Sequence, residues 1–517
     1  MTAETTSKDH RTIAVIDIGA TSIRMAIFQV NSTGAVRTLE TLSQAVSLGK
    51  DSFLKGRIEY ETIEDCVHVL KIFRSKLDEF GIVDPGDIHV VATSAVREAR
   101  NRLLFIDRVF IATGFEVEPF DEAEMHRVTY LGIQPLLKTS DALQHTRNVI
   151  CEIGGGSTEI LVVDSGNVLY AETFRMGSLR LRKTLEAGNA PQKKLRSLMI
   201  EQIQKVVHQF KRSAPDLAQA QFVGMGGDLR FAIEQIQGEK LPKDLQCLKL
   251  EGFNDLTSRI LAQMPDQLLN QYPLSLPEAE ALGPALLAYQ QMIESLGVKS
   301  FYVASNNMRD GLVREMLQPK GWGEEFRSQV IRYTLDLARK YHFDEVHACH
   351  VAELSQALFR QLSSEHQLDP RNELILYLAA LLHECGQFIS QRGYHKHSLY
   401  LIRNSDFFGL GQKDILLIGL VARYHRRAHP QPNHEGYDSL NRKDRVVVSK
   451  LAALLRVAIA LNASRQQKAL SVVAESGPDF VDLNIPAKEF SLEKITLQQA
   501  GTLFRETFGK RIAITEA

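Results

Sequence analysis

The sequence predicts two α/β lobes followed by a helical domain. One observation is a strand that ends in an acid and a glycine turn, Ile16 to Gly19, and a second is the same pattern repeated at Cys151 to Gly154. The third is the stretch Gln318 to Gly323, where a proline and two glycines break structure. Beyond it, nearly everything from Glu324 to His429 has helical spacing. At 517 residues the chain exceeds one ordinary core, because domains run to roughly 100–200 residues. The expected division is a disordered tail over 1–10, lobe I over 11–133, lobe II over 134–318 and a helical domain over 324–517. Within the last, residues 475–515 read as mixed.

The elements follow in order. Thr12 to Gly19 reads as a buried strand, Ala20 to Ser22 as a turn and Ile23 to Val30 as the returning strand. Glu61 to Phe80 has helical spacing, with Ile63, Val67, Leu70 and Phe73 on one face. Ile88 to Thr93 is a strand running into a helix over Ser94 to Asn101, followed by a helix over Phe105 to Thr113 and an extended piece at Phe115 to Glu118. The second cycle repeats the hairpin: Asn148 to Gly154 as a strand, Gly155 to Thr158 as the turn and Glu159 to Val163 as the return. A helical pattern covers 192–212. A strand over Gln221 to Gly224 then opens on Gly226 and Gly227 and a helix; a late strand over Phe301 to Ala304 and a helix over Met308 to Met316 close the cycle.

Composition excludes several classes. Apolar residues make up 44% and charged residues 24%, as in ordinary soluble domains, and the net charge is −1. Overall charge therefore predicts neither nucleic-acid nor membrane binding, and a basic site has to be local. Five scattered cysteines without a CxxC pair fit reduced cytosolic thiols rather than a disulfide framework or a cysteine zinc site. The N-terminus does not read as a signal peptide, and the longest apolar run, Leu374 to Leu382, is too short to span a bilayer. The expected location is cytoplasmic.

The repeated hairpin carries the chemistry. Backbone N–H groups in a tight glycine turn converge on phosphate oxygens, and glycine lets the backbone approach closely. Gly19, Thr21 and Ser22 in the first turn, and Gly154, Gly155, Gly156, Ser157 and Thr158 in the second, are candidate phosphate ligands. Asp17 and Glu152 at the strand ends, with Glu159 at the start of the second return, are candidate metal ligands for Mg²⁺ or Mn²⁺. Arg24, Thr93, Ser94, Arg97, Gly226 and Gly227 are further candidate phosphate contacts. For each of these the plainer alternative is structural: a glycine turn kept for folding, an ordinary helix cap, a surface arginine.

The runs VIDIGATSIRMAI (15–27), ATSAVREARN (92–101), EIGGGSTEILVV (152–163) and GMGGDLRFA (224–232) together resemble the exopolyphosphatase and guanosine pentaphosphate phosphohydrolase family. The resemblance covers roughly residues 12–465. It implies two actin-like (ASKHA, ribonuclease-H-like) lobes around a cleft, followed by an all-helical domain similar to the histidine–aspartate metal phosphohydrolases (HD-like). It further implies Mg²⁺-dependent release of terminal phosphate from inorganic polyphosphate or guanosine pentaphosphate, and a homodimer. The family carries two consecutive glutamates ahead of a conserved tyrosine and glycine, the second acting as base. In this chain the first falls on Glu124 and the second on Met125, which accepts no proton. Either Glu124 or Glu122 serves from a shifted position, or the protein is a weakened binder that senses polyphosphate or guanosine polyphosphates. Acids at a helix start also have a plain capping role.

In the last domain, His347 and His383-Glu384 resemble the first parts of a histidine–aspartate metal site, but the late aspartate falls on Ile459, which cannot ligate. These histidines are therefore expected to pack rather than bind metal. His395, Lys396, His397, Arg423, His425, Arg426, Arg427 and His429 concentrate chargeable groups that suit a long polyanion, or simply a solvated face.

Overall fold

A computed structural model describes residues 10–188, 194–238, 245–317, 323–405, 407–426, 428–469, 471–485 and 490–516. The chain divides into two compact units, Met1–Leu317 and Gln318–Ala517. Residues 1–9 of the tail expected over 1–10 lie outside the described residues, and His10 already belongs to the first strand.

The first unit holds two sheets. One is built from β1 (His10–Ile18), β2 (Ser22–Asn31), β3 (Val36–Ala45), β4 (Ile88–Ala92) and β5 (Val117–Pro119), in the order β3-β2-β1-β4-β5. The other is built from β6 (Arg147–Ile153), β7 (Thr158–Asp164), β8 (Asn167–Phe174), β9 (Gln221–Met225), β10 (Leu245–Lys249) and β11 (Ser300–Ala304), in the order β10-β11-β9-β6-β7-β8. Leaving out the edge strand β10, the second order repeats the first: an antiparallel three-strand meander followed by two parallel strands. The duplicated hairpin is thus part of a duplicated sheet.

Strand periodicity places the acids. Ala14, Ile16 and Ile18 face one core with Ile63, Val67, Leu70 and Phe73 of the helix Tyr60–Glu79, whose stripe matches the expected one. Ile13 and Val15 face the opposite core with Met125, Val128, Met308 and Leu312. Asp17 shares that second parity, so it emerges at the strand end beside Met125 and Met308. In β6 the parity is equivalent: Val149, Cys151 and Ile153 enter the large second core, which leaves Glu152 on the other face.

The helix Met308–Leu317 packs on the helix Glu122–Thr139 and on β1, so it returns to the first sheet although the expected division put it in lobe II. The approach depends on glycine. A Cβ at Gly311 would stand 2.0 Å from the Val128 carbonyl, and one at Gly132 would stand 3.1 Å from the Asn307 carbonyl. The helix Glu122–Thr139 also reaches the second sheet, where Tyr130 Oη donates to the Gly166 carbonyl at 2.8 Å.

The second unit is mainly helical, as expected from Glu324 onward. Its most apolar helix, Arg371–Leu382, is buried along nearly its whole length, which accounts for the longest apolar run in the sequence. It is not all-helical. The strands β12 (Val473–Ser476), β13 (Phe480–Ile485) and β14 (Arg511–Glu516) form a three-stranded sheet within the segment whose pattern read as mixed. All five cysteines are free thiols. Among the described residues no helix is long and apolar enough to cross a membrane.

Candidate functional site

The two hairpin turns close in the same way. Gly19 N–H donates to the Ser22 carbonyl at 3.0 Å, and Gly154 N–H donates to the Ser157 carbonyl at 2.9 Å. The carbonyls of the second turn are fixed from one side: Gly154 and Gly155 accept from the backbone N–H groups of Ser178 and Arg180, and Gly156 accepts from Arg180 Nε at 2.7 Å. Arg180 also pairs with Glu98 of the first lobe at 2.7 Å and lies 4.0 Å over the Phe53 ring, so the turn is bound to both lobes.

The turns open on one cavity of about 240 Å³ in the first unit. Of the expected phosphate and metal groups, Asp17, Gly19, Thr21, Ser22, Arg24, Thr93, Ser94, Glu152, Gly154, Gly155, Gly156, Ser157, Glu159, Gly226 and Gly227 line it. Two expected contacts do not. Thr158 is fully buried and its hydroxyl donates to the Met176 carbonyl, while Arg97 Nη1 donates to the Phe120 carbonyl at 3.0 Å. The helix beginning at Ser94 runs only to Arg97, not to Asn101, so it supplies little dipole.

Glu122 and Glu124 are not brought to the cavity, which is lined at this turn by Met125. The reason is local. Asp121 accepts from Glu124 N–H at 2.9 Å and Glu124 Oε2 accepts from Asp121 N–H at 2.9 Å, a reciprocal capping box that uses the carboxylate to start the helix. Burial, then Asp121, pushes Glu124 up to about 7; Glu122 is exposed and raised by partial burial.

The cavity also gathers residues that sequence reasoning missed. Arg230, Asp228, Glu278, Asn307 and Arg309 line it. Arg309 Nη1 donates to Asp17 Oδ2 at 3.0 Å across 292 positions of sequence. Arg230 is half-buried, burial pushes its guanidinium pKa down, and its buried Nη1 has no hydrogen-bond partner among the described residues. Glu152 Oε2 is likewise buried without a partner, and burial raises that carboxyl against the pull of Arg230. Burial pushes Asp228 up to about 6. Tyr289 ties the two strand ends behind the cavity: its hydroxyl accepts from Ile153 N–H at 2.8 Å and donates to the Met225 carbonyl. Gly226 has φ 114°, a conformation other side chains rarely adopt.

Glu159 differs from the other acids. It stands opposite Glu152 in the β6–β7 pair, and Ser157 Oγ–H donates to its Oε1 at 2.6 Å. Burial pushes it up to about 7, with Glu152 adding repulsion and Ser157 opposing. Asp17 in the first hairpin instead stands opposite Arg24, so the two copies of the motif carry different charge patterns.

An orphaned buried donor on Arg230 and an orphaned buried acceptor on Glu152 in one cavity fit an anion and a cation side by side. Each lone group costs on the order of 1–3 kcal/mol until it finds a partner. A phosphate with a divalent metal would satisfy both.

The basic group of the second unit is smaller than expected. His425 is buried: its Nδ1–H donates to the Ala422 carbonyl at 2.6 Å, Nε2 meets Tyr394 Oη at 3.2 Å, and burial holds the ring well below its ordinary pKa. It is neutral and offers no charge to a polyanion. His429 pairs with Glu506 at 2.6 Å, and His395 is held down by partial burial beside Arg426. Arg427 lies outside the described residues. Arg423, Arg426 (4.9 Å over the Tyr394 ring) and Lys396 remain as the cations, with His397 beside them. The histidines expected to pack do more than that: His347, His383 and Glu384 converge.

Residues 26–320 match the Ppx/GppA phosphatase family, and residues 331–500 match Ppx/GppA phosphatase, domain III. Among similar proteins, the guanosine-5'-triphosphate,3'-diphosphate pyrophosphatase of Pseudoalteromonas translucida is 25% identical over 474 residues, covering 90% of each chain. That of Photobacterium profundum is 22% identical over 497 residues, covering 95% of each. Among solved structures, an exopolyphosphatase from Cytophaga hutchinsonii aligns with a TM-score of 0.52 at 23% identity, over 59% of this chain and 98% of the other. At that identity the likeness is one of fold, the two-lobed actin-like architecture expected above.

Proposed function

We propose, from the premise that this chain belongs to the Ppx/GppA phosphatase family, that its cleft releases terminal phosphate from inorganic polyphosphate. The chain is a phosphoanhydride hydrolase. The observation that carries the finer reading is the pair of orphans, Arg230 Nη1 and Glu152 Oε2, in a cavity walled by two glycine turns. Asp17 and Glu152 would hold a divalent metal, Mg²⁺ or Mn²⁺, which supplies charge neutralisation at the phosphate oxygens. Arg24, Arg230 and Arg309 bind the chain of phosphates, and the turn N–H groups orient the terminal one. With a cation held at Asp17, Arg309, which pairs with Asp17 at 3.0 Å, would be free to turn to a phosphate.

We assign the proton to Glu159. A water oxygen forms the new bond to the terminal phosphorus while the bridging P–O bond breaks; the water proton passes to a Glu159 carboxylate oxygen and the electron pair leaves with the shortened chain. A buried carboxyl near 7 with one oxygen fixed by Ser157 suits that transfer at neutral pH. We favour Glu159 over Glu124, whose Oε2 accepts from Asp121 N–H and which does not line the cavity.

Guanosine pentaphosphate is the second substrate to test, because relatives spanning 90% or more of the chain carry that activity in their names. Met125 on the cavity wall favours a separate reading, a sensor that binds polyphosphate or guanosine polyphosphates with little turnover. Phosphate release from both substrates, with Asp17→Ala and Glu152→Ala alongside, separates these readings. Release that both substitutions abolish supports the hydrolase. Tight binding by folded protein without release from either substrate refutes it and leaves the sensor.

A further inference from the structure

We infer that the second unit carries a divalent transition-metal site formed by His347, His383 and Glu384, with Arg465 as its displaceable internal cation. One ligating atom from each of the three lies within 4.8 Å of the other two. Tetrahedral ligands at ~2.1 Å from an ion stand about 3.4 Å apart, so a modest side-chain movement closes the group on a metal. His347 belongs to the helix Glu345–Gln361, and His383 and Glu384 follow the helix Arg371–Leu382 that packs beside it.

The observation that points to an ion is on His383. Its side chain is 1% exposed, and its Nδ1–H donates to the Ala380 carbonyl at 2.6 Å. That bond fixes the neutral tautomer with the lone pair on Nε2. This Nε2 is buried and has no hydrogen-bond partner among the described residues. A carbonyl behind one ring nitrogen and an open lone pair on the other is how metal-bound histidines are set. The Asn462 amide lies 2.9 Å from Nδ1 of His347. Turned so that its oxygen accepts Nδ1–H, it frees the other nitrogen of that ring.

Glu384 is held by Arg465, whose Nη2 lies 2.7 and 2.8 Å from the two carboxylate oxygens while Nη1 reaches Asp344 at 3.0 Å. The guanidinium thus supplies the positive charge that an ion would bring. It is 45% exposed, against 15% for Glu384, so it can leave for water while the carboxylate stays. Arg465 and Gln467 both have left-handed φ, 55° and 48°, so the loop presenting the arginine is strained. Two imidazoles and one carboxylate select a borderline ion such as Zn²⁺ or Co²⁺ over Mg²⁺ or Ca²⁺. Ile459, in the position where a late acid was expected, plays no part; the third group is Glu384.

The test titrates Co²⁺ and Zn²⁺ alone into untagged full-length protein, reading Co²⁺ visible absorption and calorimetric stoichiometry. The first unit's cavity is lined by no histidine, so a nitrogen-ligand Co²⁺ band does not come from that cavity, and the substitutions at His383 and Glu384 tie it to this site. We expect one Co²⁺ with such a band, displaced by Zn²⁺. The band is lost in His383→Ala and in the volume-conserving Glu384→Gln, with circular dichroism confirming the fold of each. Arg465→Ala should bind about tenfold more tightly, as the competitor is gone. No band in the wild type, or an undiminished band in folded Glu384→Gln, overturns the site; unchanged affinity in Arg465→Ala overturns the role of the arginine.

Discussion

Replacing Glu159 by Gln should move activity and stability in opposite directions. Glutamine keeps the length of the side chain and an oxygen to accept from Ser157 Oγ–H, so the 2.6 Å contact survives. What disappears is the charge. Glu159 is 5% exposed and its carboxyl stands at about 7 against an ordinary 4.5. A folded pKa above the unfolded one means the fold prefers the protonated acid. That preference is fully present below 4.5 and is lost as pH rises through about 7. Above pH 7 the wild type therefore carries an ionisation penalty of roughly 3 kcal/mol that the variant lacks. In the presence of a chelator, urea denaturation at pH 8 should find the variant more stable by up to that amount, with the difference vanishing near pH 4.5. Phosphate release at saturating polyphosphate should fall by about 10²–10⁴, the usual yield of a positioned base, with KM little changed. A variant that keeps its turnover within a few-fold removes Glu159 from the proton transfer. One that is destabilised at pH 8 shows that the carboxylate is stabilised in place and refutes the electrostatic reasoning.

Met125→Glu should raise turnover where a second carboxylate can help, at a stability cost of about 2–4 kcal/mol for taking a charge into an apolar cluster where the methionine is 7% exposed; equal rates for Met125→Glu and the wild type would mean that this wall is catalytically silent. Gly311→Ala, which in an open helix gains up to ~1 kcal/mol, should instead lose about 1–3 kcal/mol, because the new Cβ meets the Val128 carbonyl; a urea midpoint shows the sign. His126 is buried against the Thr173 hydroxyl at 2.9 Å, and burial lowers its pKa to about 4. Its contribution is present above pH 6.5 and lost as pH falls toward 4, roughly 3 kcal/mol in all, so denaturation curves for His126→Gln should depend less on pH over that window.

The hairpins were legible because each carries its own signature: a β-branched strand, an acid at its end, a glycine turn. Those strands and the helix Tyr60–Glu79 begin and end within a residue or two of their expected limits. The strand β3 was not legible: it lies along the sheet edge, mostly exposed, with no alternation for a period to reveal. Arg309 and Arg230 were not legible as site residues because nothing local distinguishes them; tertiary structure brings Arg309 to Asp17. For Glu124 the sequence carries a second signal beside the family resemblance. Asp121 followed three residues later by a glutamate is the pattern of a capping box, and the structure forms that box. In the second unit, Ile459 in place of a late acid argues against a metal, whereas the open lone pair of His383 Nε2 is set by tertiary surroundings that no local pattern reveals.

The glycine contact between the helices Glu122–Thr139 and Met308–Leu317 bears on mechanics. The chain passes from the first sheet to the second through one of these helices and returns through the other, so two strands of connection lie side by side. A single connection leaves two bodies free to twist and slide; a pair fastened to each other leaves one easy rotation, as two pins do in a door. Met125 lies on the first pin and Met308 and Arg309 on the second, all at the cavity wall. Rotation about these two connections would then be the easiest opening of the lobes, and the arginine that holds Asp17 lies on the second of them.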